Sequence, residues 1–203
     1  MRGLDIIPPL VWVDNYAFNY ESMKSYYEDL FSEENLKNKP YQPTMSGDAI
    51  TSYMSNHKKQ PHRQQHNKDY NQWLNDNLME LFCKVYGYKP DLTRLIVTNS
   101  WSNKQRRSGK TRTHHHKTAD WVVNAYLSVP ENSGKLILYP PNIDNNFGYE
   151  PKKIDVKTND VVIFPAWMYH ETEVSQSDED RVTISYNIKI DITSNVVEAS
   201  YLV

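Results

Sequence analysis

The amino-acid sequence predicts a mainly β protein, a barrel or sandwich preceded by two supporting helices. Every element predicted after residue 92 is a strand, and segments rich in Asn, Gly and Ser separate these strands. The N-terminal part instead contains two stretches with apolar residues at helical spacing. At 203 residues the chain is long enough for one domain with a sizeable core. We expect a single domain over residues 1–203, with a helical flank at about 15–90 and a β core at about 93–192.

The N-terminal elements follow from the spacing of apolar residues. Residues 4–13 predict a strand, and residues 19–31 predict a helix. Residues 37–66 are polar and without periodicity, which predicts a long loop. A second helix is predicted over 69–86, because Gly87 can end it. The apolar residues that define the helices are Met23, Tyr26, Tyr27 and Leu30 in the first, and Trp73, Leu74, Leu78, Leu81, Phe82 and Val85 in the second.

The β core is predicted from short apolar or alternating segments with turn-forming residues between them. Its predicted strands are 93–99, 120–129, 135–139, 154–157, 160–164 and 181–190.

Composition restricts the class of protein. The net charge of −2 gives no reason to expect a nucleic-acid partner. The single Cys83 excludes an intrachain disulfide, and we find neither a secretory signal nor a membrane-spanning segment. We therefore expect a soluble cytoplasmic protein with no membrane partner. The richness in Asn, Lys and Tyr is typical of an AT-rich genome such as that of a phage, whose protein would act in the host cytoplasm.

Histidines provide the first candidate site. His114 and His116 are two residues apart, so in an extended strand both side chains point to one face while His115 points away. His170 ends the apolar segment 160–170, which we interpret as a buried strand reaching the same end of a sheet. Three imidazoles suit iron, zinc, copper or nickel. The alternative is that these histidines are ordinary loop and core residues.

The strand at 181–190 alternates between polar and apolar residues. Arg181, Thr183 and Ser185 share one face, and the opposite face can pack on a core. Arginine can bind a carboxylate through two parallel hydrogen bonds, with hydroxyls adding a further one. The residues at 121–128 alternate in the same way, so Asn124 and Tyr126 share a face that also carries His116 if the strand is unbroken. A sheet with one solvated side would show the same pattern.

An ordered set of motifs resembles the iron(II)- and 2-oxoglutarate-dependent oxygenases, in particular a small bacterial and phage branch that is distantly similar to prolyl hydroxylases. The resemblance covers the second half of the chain well and the first half loosely. The motifs are Ser100-Trp-Ser-Asn103, His114-His-His116, Ala125-Tyr-Leu127, Gly134-Lys-Leu136, Val162-Ile-Phe-Pro165, His170 and Arg181-Val-Thr-Ile-Ser-Tyr-Asn187, together with Ile6-Ile-Pro-Pro-Leu-Val-Trp12.

The resemblance implies a double-stranded β-helix, a jelly-roll or cupin-like barrel, with iron(II) as cofactor and 2-oxoglutarate and O2 as cosubstrates. It implies His114, His116 and His170 as metal ligands, with His116 in place of the usual carboxylate. Arg181 would grip the far carboxylate of 2-oxoglutarate. The residues that would assist in binding this cosubstrate are Thr183, Ser185, Tyr126, Asn124 and Asn103.

The implied function is hydroxylation of an unidentified small-molecule or peptidyl substrate, such as a peptidyl proline, with release of succinate and CO2. One alternative is a cupin-like metal enzyme that does not use 2-oxoglutarate, in which Asp120 would join the histidines. Another alternative is a non-catalytic jelly-roll module. The edge strands of such a barrel would allow a dimer.

Residues 101–113 are polar and contain five basic side chains, which suits either a lid for an anionic substrate or a solvated hairpin loop. We favour the solvated loop. Trp167 and Tyr169 flank His170 and could line a substrate pocket or pack in the core.

Overall fold

The computed structural model describes residues 10–36, 44–53, 57–140 and 150–192. Its helices are α1 (Tyr20–Leu30), α2 (Glu33–Leu36) and α3 (Lys68–Tyr86), with three short 3-10 helices at His57–Lys59, Pro61–Arg63 and Gln65–Asn67. Its strands are β1 (Trp12–Asn15), β2 (Met45–Ser46), β3 (Ala49–Thr51), β4 (Thr93–Gln105), β5 (Lys110–Thr111), β6 (Trp121–Ser128), β7 (Leu136–Tyr139), β8 (Lys152–Ile154), β9 (Asp160–Pro165), β10 (Tyr169–Thr172) and β11 (Arg181–Ile192). None of the described helices is long and apolar enough to span a membrane.

All the strand pairings are antiparallel. A six-stranded sheet has the order β1-β9-β6-β11-β4-β3, and a three-stranded sheet has the order β10-β7-β8. β2 and β5 form a two-stranded sheet. The predicted mainly β class is confirmed, and so is the double-stranded β-helix expected from the resemblance.

The two central strands of the large sheet separate the core from the site. Along β11, Val182, Ile184, Tyr186 and Ile188 pack with the helices, whereas the alternate residues face a cavity. β6 divides in the same way, because successive side chains of a strand point to opposite faces. The predicted alternation of both strands is therefore confirmed.

Helix α3 supports the large sheet from the core side. Its buried residues Tyr70, Leu74, Leu78 and Phe82 recur every four positions and form one apolar stripe. The helix ends at Gly87, whose φ of 70° is the left-handed conformation that glycine adopts at little cost. The Gly87 N–H donates to the Cys83 carbonyl at 3.1 Å, which closes the last turn.

Several predicted boundaries are corrected by the structure. The strand predicted at 93–99 continues to Gln105, so the polar run 101–113 begins inside β4 and is not one loop. The strand predicted at 154–157 is displaced to Lys152–Ile154. The loop predicted at 37–66 contains β2, β3 and the short helices, although residues 37–43 and 54–56 lie outside the described residues. Residues 4–9 of the first predicted strand also lie outside them, and the observed strand begins at Trp12.

Candidate metal centre

Three histidines bring their ring nitrogens together on the cavity side of the large sheet. One ring nitrogen from each of His114, His116 and His170 lies within 4.8 Å of the others. The Nε2 atoms of His114 and His116 are 3.3 Å apart. Two nitrogens about 2.1 Å from one ion, at an angle of about 90° to 109°, would be about 3.0 to 3.4 Å apart. The spacing of this pair therefore fits ligands of a single metal ion.

Backbone pairing holds the three histidines in place. His114 and His170 form an isolated antiparallel bridge, in which each backbone N–H donates to the other's carbonyl at 3.0 and 2.9 Å. The N–H of His116 donates to the carbonyl of Ala166 at 2.8 Å. Because these contacts fix the backbone on both sides, the ring positions do not depend on a flexible loop.

The path of the chain that leads to His170 differs from the predicted one. Segment 160–170 was interpreted as one strand, but β9 ends at Pro165 and the chain turns before β10 begins at Tyr169 in the other sheet. A turn at Lys117 and Thr118 likewise separates His116 from β6, so the parity argument linking His116 to Asn124 does not apply. The expected convergence is nevertheless present.

Each of the three rings is oriented by an oxygen on its other nitrogen. The Nδ1 atoms of His114 and His170 lie 2.8 and 3.0 Å from the carbonyl oxygens of Arg112 and Met168. A carbonyl can only accept, so Nδ1 carries the proton and Nε2 keeps a free lone pair. The Nδ1 of His116 lies 2.6 Å from the side-chain oxygen of Asn187. Three lone pairs that face one another repel unless they share a cation, which is the arrangement expected of metal-binding histidines.

Burial keeps these imidazoles neutral. It lowers the pKa of His116 to about 4, although the hydrogen bond to Asn187 acts in the opposite direction. Burial also lowers the pKa of His114, and that of His170 well below its ordinary value. Neutral imidazole is the form that binds metal, so the cluster needs no deprotonation at neutral pH.

Asp120 does not take part in the histidine cluster. Its carboxylate accepts a hydrogen bond from the backbone N–H of Ile190 at 2.7 Å, and the cluster contains only histidines among the described residues. The cupin-like arrangement that required Asp120 as a ligand is therefore wrong for this chain.

The histidine cluster opens into a cavity of about 310 Å³, a size within the range of small-molecule sites. The nine site residues expected from the sequence all line it, and they come from β4, the 114–116 segment, β6, β10 and β11. The roles of these residues remain predictions.

Arg181 is the most unusual side chain of this cavity. It is 1% exposed, and its Nη1 donates to the carbonyls of Ser133 and Gly134 at 3.0 and 2.7 Å. The guanidinium carbon lies 5.4 Å from the centre of the Tyr126 ring, and Nε has no hydrogen-bond partner among the described residues. Burial lowers the pKa of Arg181, which nevertheless stays charged. An unpaired buried charge costs stability, so this side chain is suited to an anionic ligand.

Polar groups without partners surround the space next to Arg181. The amide nitrogen of Asn103 is 3.4 Å from the hydroxyls of both Thr183 and Ser185. The amide oxygens of Asn103 and Asn124 are buried without a partner among the described residues. Unsatisfied buried polar groups are costly, so these atoms are suited to a polar ligand.

Sequence reasoning assigned no role to other residues that shape the site. Asn187 has the same parity along β11 as Arg181, yet its contact with His116 was not predicted. The Trp101 ring lies 5.3 Å from the His116 ring. Met45 and Tyr53, from a segment predicted as loop, also line the cavity. An aromatic residue within a polar run was the one available signal for Trp101.

The basic run at 101–113 is not a free lid. Arg106 and Arg107 form ion pairs with Asp180 and Asp178, and Lys110 pairs with Glu171 at 3.1 Å. Trp167 and Tyr169 are 48% and 51% exposed, which excludes the alternative that they pack in the core.

Comparison with known proteins agrees with this geometry. Residues 99–187 match the family described as "Putative 2OG-Fe(II) oxygenase". The matched segment contains the three histidines and Arg181, and the resemblance identified in the sequence is confirmed. No curated protein matches this sequence.

Solved oxygenase structures share the fold at low sequence identity. A prolyl-4-hydroxylase from Pseudomonas putida is 9% identical, with a TM-score of 0.55 over 89% of this chain and 92% of that one. A Trichoplax adhaerens prolyl hydroxylase, in complex with a hypoxia inducible factor peptide fragment, is 16% identical, with a TM-score of 0.57 over 88% and 83%. HygX from Streptomyces hygroscopicus, with nickel, 2-oxoglutarate and hygromycin B bound, is 12% identical, with a TM-score of 0.55 over 91% and 84%. At these identities the likeness establishes the fold.

Proposed function

We propose that this chain is an iron(II)- and 2-oxoglutarate-dependent oxygenase that hydroxylates a small-molecule or peptidyl substrate and releases succinate and CO2. The observation that carries the proposal is one cavity in which three histidine nitrogens converge and a buried arginine has a free donor. A non-catalytic module has no use for this combination, because buried unpaired polar groups cost stability.

His114, His116 and His170 would hold the iron through Nε2, with Nδ1 of each ring anchored on an oxygen. The bound iron and 2-oxoglutarate would supply the oxidising chemistry, in which decarboxylation of the cosubstrate accompanies transfer of one oxygen atom to a C–H bond. Three ligands leave positions open for the cosubstrate and oxygen.

Arg181 would bind the far carboxylate of 2-oxoglutarate. Its Nη1 is already engaged with two carbonyls, which limits rotation of the guanidinium, and the buried Nε–H has no partner among the described residues. Thr183 and Ser185 would add hydroxyl hydrogen bonds, with Asn103 linking them. In this buried setting a charge-assisted pair is stronger than in water.

Apolar side chains would keep bulk water from the reacting centre. The Phe164 ring lies 4.8 Å from the His170 ring, and Trp101 covers His116. A dry cavity strengthens electrostatic contacts and suppresses side reactions.

A peptidyl residue such as proline is one candidate substrate. Support for it comes from two prolyl hydroxylases reported above, which share the fold with this chain. The cavity mouth carries the exposed ring of Tyr53, a surface on which a peptide could lie.

The decisive experiment measures succinate after oxygen is admitted to anaerobic, iron(II)-loaded protein with 2-oxoglutarate. We expect succinate formation that His170→Ala and Arg181→Ala abolish, while the exposed control Lys84→Ala retains it. Absence of succinate together with absence of 2-oxoglutarate binding would contradict the proposal. If succinate does form, mass spectrometry of proline-containing peptides incubated with the protein would detect the added oxygen atom.

A further inference from the structure

We propose, resting on the oxygenase function above, that the substrate of this cavity carries a negative charge and that Lys117 receives this charge at the mouth. Positive charges line the cavity, and the three candidate metal ligands are neutral histidines.

The charged residues that line the described cavity are Arg181, Lys117 and Glu171, in addition to the histidines. Glu171 is already saturated. Its carboxylate accepts from Lys110 at 3.1 Å, from Thr113 at 2.7 Å and from Tyr139 at 2.9 Å. The negative charge of Glu171 is therefore compensated by Lys110 and is not available to the other cations.

Loading the site leaves an excess of positive charge. Iron(II) and the 2-oxoglutarate dianion cancel, and the three neutral histidines contribute no charge. All three candidate ligands are histidines, so no ligand carboxylate reduces the positive charge of the site. Arg181 pairs with the far carboxylate of the cosubstrate, yet the loaded site still has two positive charges in excess, those of Arg181 and Lys117. A cleft lined by one sign of charge focuses the field and concentrates ligands of the opposite sign.

Lys117 is placed to make the contact. It directly follows the ligand His116, is exposed, lines the cavity, and forms no ion pair with another described residue. The neighbouring His115 packs against Tyr169 with ring centres 4.6 Å apart, and its Nδ1 is buried without a partner among the described residues. The 115–117 segment therefore offers a cation and an unused ring nitrogen beside the metal ligands.

The test uses zinc-loaded protein saturated with 2-oxoglutarate, which cannot turn over. Acetate, inorganic phosphate and the neutral analogue acetamide are titrated while the backbone amide resonances of residues 115–118 are followed by NMR. We expect saturable shifts with the anions and none with acetamide. Lys117→Gln should weaken anion binding by about threefold to fivefold, as for an exposed charge pair, and Lys117→Arg should restore it. Comparing acetate with phosphate tells whether a carboxylate or a phosphoryl group is preferred.

Lys84→Gln is the matched control, because Lys84 is an exposed lysine paired with Glu80 on α3. Equal shifts with acetamide and acetate, or anion binding unchanged in Lys117→Gln, would overturn the inference. Failure of the proposed oxygenase function would give a different result from failure of this inference. If 2-oxoglutarate does not bind the zinc protein but the anions still shift residues 115–118, the mouth site stands and the oxygenase assignment falls.

Discussion

The buried guanidinium of Arg181 gives the sharpest prediction: Arg181→Gln should remove most of the 2-oxoglutarate affinity and leave metal affinity intact. The side chain is 1% exposed and has a free Nε donor, so a bound carboxylate would meet it away from water. Removing one partner of a buried, hydrogen-bonded charge pair costs about 2 to 5 kcal/mol. That loss corresponds to a rise in Kd of about 30-fold to 4,000-fold.

Calorimetric titration of 2-oxoglutarate into nickel-loaded protein measures this change without turnover. Arg181→Lys should bind with intermediate affinity, because an ammonium group keeps the charge but cannot form two parallel hydrogen bonds. Arg106→Gln is the control, since Arg106 is half exposed and pairs with Asp180. A parallel titration with nickel alone checks that the histidine cluster is undisturbed in each variant.

A Kd of Arg181→Gln for 2-oxoglutarate within about threefold of the wild-type value would refute this role of Arg181, because loss of an exposed ion pair alone gives a change of that size. Arg181 would then serve only to anchor the carbonyls of Ser133 and Gly134.

Three further predictions concern the metal ligands and their supports. His116→Ala should weaken nickel binding by more than about 100-fold, a larger loss than that expected for a residue that only supports a ligand. His115→Ala should leave the nickel affinity unchanged. Equal losses for the two variants in calorimetry would argue against the assigned ligands. Asn187→Leu removes the hydrogen-bond partner of the His116 Nδ1 atom and should weaken nickel binding by about 10-fold to 100-fold, so an unchanged affinity would deny Asn187 its orienting role. Gly134→Ala should lower the free energy of unfolding by about 1 to 3 kcal/mol in urea denaturation. The reason is that Gly134 has a φ of 87° and an added Cβ would lie 2.7 Å from the Glu173 carbonyl oxygen; a wild-type stability would contradict it.

Local periodicity in the sequence was sufficient to predict the two faces of the central strands β6 and β11. The alternation through Arg181, Thr183 and Ser185 predicted which side chains share the cavity face, and the structure confirms it. The same rule predicted that His114 and His116 face one way, although they lie on an extended segment with a single bridge and not on a regular strand. Side-chain direction along extended backbone depends on the residue's own position, so the sequence could specify it.

The path of the chain between β9 and β10 could not be predicted from apolar residues alone. Residues 161–168 are apolar throughout, and only Pro165 indicated that the strand ends before His170. The chain changes sheets there, since β9 pairs with β6 in the large sheet and β10 pairs with β7 in the smaller one. The extension of β4 through a polar run was missed because several of its polar residues do not face solvent: Asn103 and Gln105 line the cavity, and Ser102 is buried.

The sequence by itself determined the kinds of groups at the site: three imidazoles, one arginine and a row of hydroxyls and amides, arranged with the period of a strand. The tertiary structure decided which of them meet. Asn187 contacts His116, which lies 71 positions earlier in the chain. Arg181 donates hydrogen bonds to the carbonyls of Ser133 and Gly134, which lie 48 and 47 positions earlier. Such contacts depend on strand register and on packing between sheets, which no local pattern encodes.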